Sequence, residues 1–267
     1  MKTLKVKEMK KQIWITAVAL IFTALSMPAV GQEYKIPASG KSLKIFFNEI
    51  NKLEIEGTTG SDIIITTTDR SRARDERAQG LKAISSMGLE DNTGLGLSAL
   101  EKNGIVEVNS ISRNSEARYI VKVPKNVGVK YAHNSPYGSD VKISNLESEL
   151  DVSSLHNDII LVNVTGPMTI NTVHGDIDAN FTTLNQASPT SIASVHGHVD
   201  VSLPAASKAE LTIKTTWGEI FTDMDIQMET GADMRKISTQ TVKGKLNGGG
   251  VALMLSSTHD NIYLRKK

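Results

Sequence analysis

The chain has 267 residues, with 30 lysines and arginines against 29 aspartates and glutamates, and it has no cysteine. Disulfides and anchoring through a lipid-modified N-terminal cysteine are therefore excluded. Aromatic residues make up only 4%, so a core has to be built from Ile, Val, Leu and Met.

From Met9 the sequence MKKQIWITAVALIFTALSMPAVGQ sets Lys10 and Lys11 ahead of an apolar run from Ile13 to Leu25, with Ala29, Val30 and Gly31 after it. That order predicts a secretory signal over residues 1–31. The apolar run is shorter than the roughly 20 residues a spanning helix needs, so no membrane span is expected after cleavage. Removal of residues 1–31 takes away five lysines and one glutamate and leaves 25 basic and 28 acidic residues, a net charge of −3. No basic tract survives to neutralise phosphates, which excludes nucleic acid as a partner. The length of residues 32–267 fits one large all-β domain as easily as two smaller ones, and a single domain is expected.

The next segments announce a repeat. LEIEGTTGSDIII from Leu53 and YAHNSPYGSDVKI from Tyr131 are loose copies of one another. Between them, residues 69–104 are charged and then glycine-rich, with helix-forming residues from Arg72 to Met87. A short helix and loop inserted near the N-terminus is expected there, or a cap over an exposed sheet edge.

Five further segments align without a gap: LDVSSLHNDIIL from Leu150, MTINTVHGDIDA from Met168, TSIASVHGHVDV from Thr190, LTIKTTWGEIFT from Leu211 and LMLSSTHDNIYL from Leu253. The third slot is always β-branched or Leu (Val152, Ile170, Ile192, Ile213, Leu255). The fifth is always a hydroxyl (Ser154, Thr172, Ser194, Thr215, Ser257), and the tenth is always Ile or Val. A degenerate copy, VKGKL at Val242, precedes the last unit. Each unit holds two short alternating segments, the mark of half-buried strands. Slots one, three and five face inward in the first strand, and slots ten and twelve in the second. A change of parity requires a corner, and the Asn, Gly or Asp at slot eight is expected to make it with a positive φ.

Two strands and two corners in about 20 residues predict one coil of a β-solenoid, in which stacking of coils supplies the core that a single coil lacks. Parallel pairing between coils would give a rod of about 35 Å. The alternative is an antiparallel β-sandwich; the constant columns favour the solenoid.

Stacking would place planar side chains at slot seven in a column at one corner: His156, His174, His196 and Trp217, with Tyr137 ahead and His259 at the far end. A ladder of packed rings is the plainer reading, because tryptophan is not a usual metal ligand. No metal site and no cofactor is expected; the residues that would supply a site are His174, His196, His198 and Asp176. Outward slots nine and eleven carry Asp158, Asp176, Asp178, His198, Asp200 and Glu219. They read as a solvated face, or as a polar strip that meets calcium or a ligand's hydroxyls and amides.

The GDI and GHV corners, the EDNTGLGL stretch and the ending GKLNGGGVALMLSSTHDNIYLRK resemble a family of bacterial exported, adhesin-like proteins of unknown function. The resemblance runs from about Leu53 to Lys266. It implies a single-stranded parallel β-helix at the cell envelope, periplasmic or on the surface, and it brings no catalytic residues.

For function, the expectation is a non-catalytic binding module whose partner is a glycan or another envelope protein. A polysaccharide lyase or hydrolase on a β-helix is the alternative, as is the extracytoplasmic sensor of a signalling system. A hydrolase needs paired carboxylates on one bond. VHGHV carries a Gly-His element, but the acid-pair motifs that would accompany it are missing. A lyase wants a basic residue beside a calcium cluster, and Leu150 to Leu203 contains no Arg or Lys.

Overall fold

The computed structural model describes residues 33–40, 43–67, 77, 80–81, 83–112, 115–228 and 240–267. The expected signal over residues 1–31 lies outside them. In chain order the strands are β1 Glu33–Pro37, β2 Lys44–Asn48, β3 Lys52–Thr58, β4 Asp62–Thr67, β5 Leu97–Lys102, β6 Ile105–Ser110 and β7 Arg118–Pro124. Next come β8 Gly128–His133, β9 Val141–Ser144, β10 Leu150–Ser154, β11 Ile159–Val164, β12 Met168–Thr172, β13 Ile177–Phe181, β14 Thr190–Ser194 and β15 Val199–Leu203. The last six are β16 Ala209–Thr215, β17 Ile220–Thr222, β18 Gln227–Met228, β19 Gln240–Leu246, β20 Val251–Ser257 and β21 Ile262–Lys266.

From β6 to β17, successive strands alternate between two sheets. In one sheet β8, β10, β12 and β14 pair in parallel, and in the other β9, β11, β13 and β15 do the same. Each pair of strands is one coil of a β-solenoid, and the antiparallel pairing of a sandwich is confined to the ends. The register is slot on slot: Val152 pairs with Ile170, and Ile170 with Ile192. Stacking each apolar slot on its equivalent builds continuous Ile, Val and Leu columns. Burial along β12 alternates strictly, with Met168, Ile170 and Thr172 inside and Thr169 and Asn171 outside.

The coils do not stack in chain order at either end. The last coil, β20 and β21, sits beside β14 and β15, and the coil formed by β16 and β17 lies beyond it. At the other end the first coil, β2 and β3, lies between β6/β7 and β8/β9. The ring column expected in sequence order is therefore reordered, with His259 between His196 and Trp217.

Antiparallel strands close the stack. β4 pairs with β7 and β1 with β4; β5 pairs with β6; β19 pairs with β16 and β18 with β19. They cover edges that would otherwise template association. Two segments read as repeat copies end in or lie within these caps. The Leu53 stretch runs through β3 into β4, both in one sheet, and VKGKL lies in β19.

The helix expected within residues 69–104 is a correction to report. Residues 68–76, 78–79 and 82 lie outside the described residues; the remainder of the segment holds no α-helix. Leu81, Ile84 and Met87 stay exposed, so a helix there would have no core to cover. Residues 91–96 instead wrap the Asp91 carboxylate, whose oxygens accept the N–H groups of Thr93, Gly94 and Gly96 at 2.8–3.0 Å. Asn103 and Gly104, at φ 53° and 76°, then make the two-residue turn into β6. An Asn-Gly turn of this kind suits the twist of paired antiparallel strands.

Candidate functional site

The corner between the two strands of each coil is built from slots five to nine. The slot-five hydroxyls are buried. Within a coil, Ser194 Oγ accepts the N–H of Gly197 at 2.9 Å, and Ser257 and Thr215 accept those of Asp260 and Gly218 at 3.1 Å. Between coils, the same hydroxyls donate to slot-eight carbonyls: Ser194 to Gly175 at 2.9 Å, Ser257 to Gly197 at 2.9 Å and Thr215 to Asp260 at 3.2 Å. One hydroxyl thus pairs two buried backbone groups that the bend would strand. The invariant Ser or Thr was visible in the sequence, but its role was not.

The corner glycines are required for a reason other than the one expected. Gly138, Gly175, Gly197 and Gly218 do not have positive φ. A Cβ at Gly175 would fall 1.9 Å from the carbonyl oxygen of Asn157, and one at Gly197 would fall 2.1 Å from that of Gly175. Close approach of stacked backbones, not a left-handed turn, selects glycine. Asn157 escapes because the corner below it is three residues longer, with residues 134–140 facing 155–158, and its side-chain amide donates to the Ser139 carbonyl there.

With the corners so close, slot-seven rings stack. The centroids of His156 and His174 lie 4.7 Å apart, those of His174 and His196 4.6 Å and those of His196 and His259 4.3 Å, with planes within 22° of parallel. His174, His196 and His259 are exposed along this edge. Tyr137 and Trp217 flank the four; they are 79% and 74% exposed, and among the described residues neither ring has a stacking partner. His196 is held below the ordinary histidine pKa by desolvation in the stack and then by the neighbouring His259 and His174.

The polar strip is largely paired within itself. Asp158 accepts the backbone N–H of Asp176, Asp176 accepts that of His198, and Asn261 accepts that of Glu219, at 2.8–2.9 Å. Nδ1 of His198 lies 3.1 Å from Asp176 and Nε2 lies 3.1 Å from Asp178. Desolvation alone would lower the His198 pKa. The hydrogen bond to Asp178 and the charges of Asp176, Asp178 and Asp200 outweigh it and raise the pKa, since only the imidazolium donates from both nitrogens. Arg265 holds Asp200 with Nε at 2.8 Å and Nη2 at 2.7 Å. Beyond Asp200 the column turns aromatic: Tyr263 stacks on Phe221 at 5.3 Å and meets the edge of His198. Tyr263 and Phe221 are slot-eleven residues that sequence reasoning passed over because their slot is acidic in neighbouring coils.

The residues named for a metal, His174, His196, His198 and Asp176, are not brought together. His198 and Asp176 belong to the strip and bind each other, whereas His174 and His196 lie in the ladder. Among the described residues no group of three or more His, Asp or Glu side chains is arranged to hold a metal ion. At the other corner, Gly57, Lys125, Asn145, Glu147, Asn163 and Thr182 line a polar cleft crossed by a Lys125–Glu147 ion pair. Among the described residues no helix is long and apolar enough to cross a membrane.

A two-sheet parallel β-solenoid with a ring-lined corner is the class of domain that this geometry defines. Residues 134–265 match the family model described as Toastrack DUF4097. Two solved structures are similar to the chain. A candidate cell adhesion protein from Clostridium sporogenes ATCC 15579 is 12% identical, with 89% of this chain and 100% of that one covered and a TM-score of 0.46. A candidate adhesin from Bacteroides fragilis NCTC 9343 is 9% identical, with 88% and 96% covered and a TM-score of 0.29. No curated protein matches the chain.

Proposed function

We propose that the protein is a non-catalytic, exported binding module of the adhesin type, held in the periplasm or at the cell surface, that engages a glycan or another envelope protein along one face of the solenoid. The observation that carries this reading is repetition: stacked rings recur every 4.3–4.7 Å along one corner, and three of them are exposed. The same contact is thereby offered several times to an extended partner, and weak contacts held on one scaffold add to useful avidity. Arg265, Asp200, Tyr263 and Phe221 add hydrogen-bonding and ring surface beside that edge.

The test is binding of the purified protein to immobilised polysaccharides and envelope fractions, each also assayed for newly released sugar ends. Saturable binding without release is the expected result. Release of sugar ends would overturn the non-catalytic reading, and no binding to any glycan or envelope fraction would overturn the adhesin reading.

A further inference from the structure

One contact decides which nitrogen the ladder presents at its tightest step. Nδ1 of His259 lies 3.1 Å from the carbonyl oxygen of Val195. A carbonyl only accepts, so Nδ1 carries a proton, and in the neutral ring this tautomer leaves the lone pair on Nε2. A backbone carbonyl that fixes ring and tautomer in this way is the usual support behind a metal-ligating histidine. The ring stacked on it, His196, is the nearest in the ladder, with centroids 4.3 Å apart and planes 13° from parallel. Both side chains are exposed.

We propose that His196 and His259 together bind a divalent cation of borderline softness, Cu²⁺, Ni²⁺ or Zn²⁺, through one ring nitrogen each, Nε2 in the case of His259. Imidazole nitrogens hold such ions at about 2.0–2.1 Å, which sets two of them roughly 3.4 Å apart on a tetrahedral centre. Imidazole lone pairs lie in the ring plane, so the two near-parallel rings, 4.3 Å apart, have to tilt toward each other about χ2, a torsion that is broad in histidine, for their nitrogens to converge on one ion. Two protein ligands leave positions open to water or to a donor from a partner. Imidazole selects these ions over calcium or magnesium, which prefer oxygen.

The other four histidines do not duplicate this pair. His133 is buried, His198 has a carboxylate at each nitrogen, His156 is only partly exposed, and His174 stacks on the far side of His196 at the longer spacing of 4.6 Å. The two ligands are far apart in sequence and meet only because the last coil inserts beside β14 and β15. An ion bound there links those coils and stabilises the folded state.

The experiment is calorimetric titration of the untagged protein with Ni²⁺ and Cu²⁺ near neutral pH, with the thermal midpoint followed in parallel. One equivalent is expected to bind and to raise the midpoint. His259→Asn retains an amide donor toward the Val195 carbonyl but lacks Nε2. Changing an outer-shell partner alone costs about ten-fold in affinity, and losing a ligand in His259→Asn or His196→Ala is expected to cost at least as much, while His156→Ala binds as the parent does. Should His196→Ala fail to fold, His259→Asn decides the question alone. Absence of saturable binding, or parental affinity in His259→Asn, overturns the proposal.

Discussion

Replacing Gly175 with alanine tests the corner most directly. The new Cβ would meet the Asn157 carbonyl oxygen at 1.9 Å, its carbon at 2.6 Å and Thr172 Oγ1 at 2.9 Å. The first two are backbone atoms that cannot rotate away, so the two corners have to separate by about 1.5 Å to reach ordinary contact. Three bonds tie them at this point: His174 N–H to the Leu155 carbonyl, Asp176 N–H to Asp158 and Ile159 N–H to the Asp176 carbonyl, each 2.9 Å. Losing two, at a net of about 1 kcal/mol each, adds to an overpacking cost of about 1–3 kcal/mol. The expected destabilisation is about 3–5 kcal/mol, or roughly 6–20 °C in the thermal midpoint for a chain of this size. Urea unfolding monitored by circular dichroism measures it. Gly248→Ala is the comparison, because Gly248 has a positive φ of 84° and nothing within 4 Å; its cost is conformational only, about 1–2 kcal/mol. A Gly175→Ala protein as stable as the parent, or more stable than Gly248→Ala, would refute close approach as the reason for glycine.

Ser194→Ala leaves the Gly197 N–H and the Gly175 carbonyl without their buried partner, and urea unfolding should show a loss of about 1–3 kcal/mol. His133 is 3% exposed, and desolvation holds its pKa below the ordinary value despite the opposing influence of Glu49 and Asn157. The unfolded chain therefore binds this proton first. Its contribution to stability is full above the unfolded pKa of about 6.5 and is lost as pH falls below it. His133→Gln should flatten that part of a stability–pH profile, and an unchanged slope would count against the assignment. Arg265→Ala removes a surface ion pair with Asp200 and should cost no more than about 1 kcal/mol, less in high salt, by the same urea assay.

The inward and outward slots were legible from the chain because strand alternation is local: each residue's facing depends on its neighbours two positions away. The gapless alignment of five segments also proved to be the pairing register, Val152 to Ile170 to Ile192 to Leu255 to Ile213. The polar strip was readable as a row of outward acids. Its internal pairing was not, since His198 meets Asp178 across coils 20 residues apart. In residues 69–104 helix propensity misled, because propensity says nothing about whether Leu81 and Ile84 have a core to enter.

The sequence by itself determined that this protein is a stack of like coils with apolar columns inside, hydroxyls at the corner and rings along one edge. Which coil lies on which was decided only by the tertiary structure. Columns alike enough to align are also alike enough to exchange places, so the local pattern holds no information about order. The return of the chain through β19, along the outer side of β16, and then through β20, along its inner side, settles it. That return sets His259 against His196, and no reading in chain order would have made those two rings neighbours.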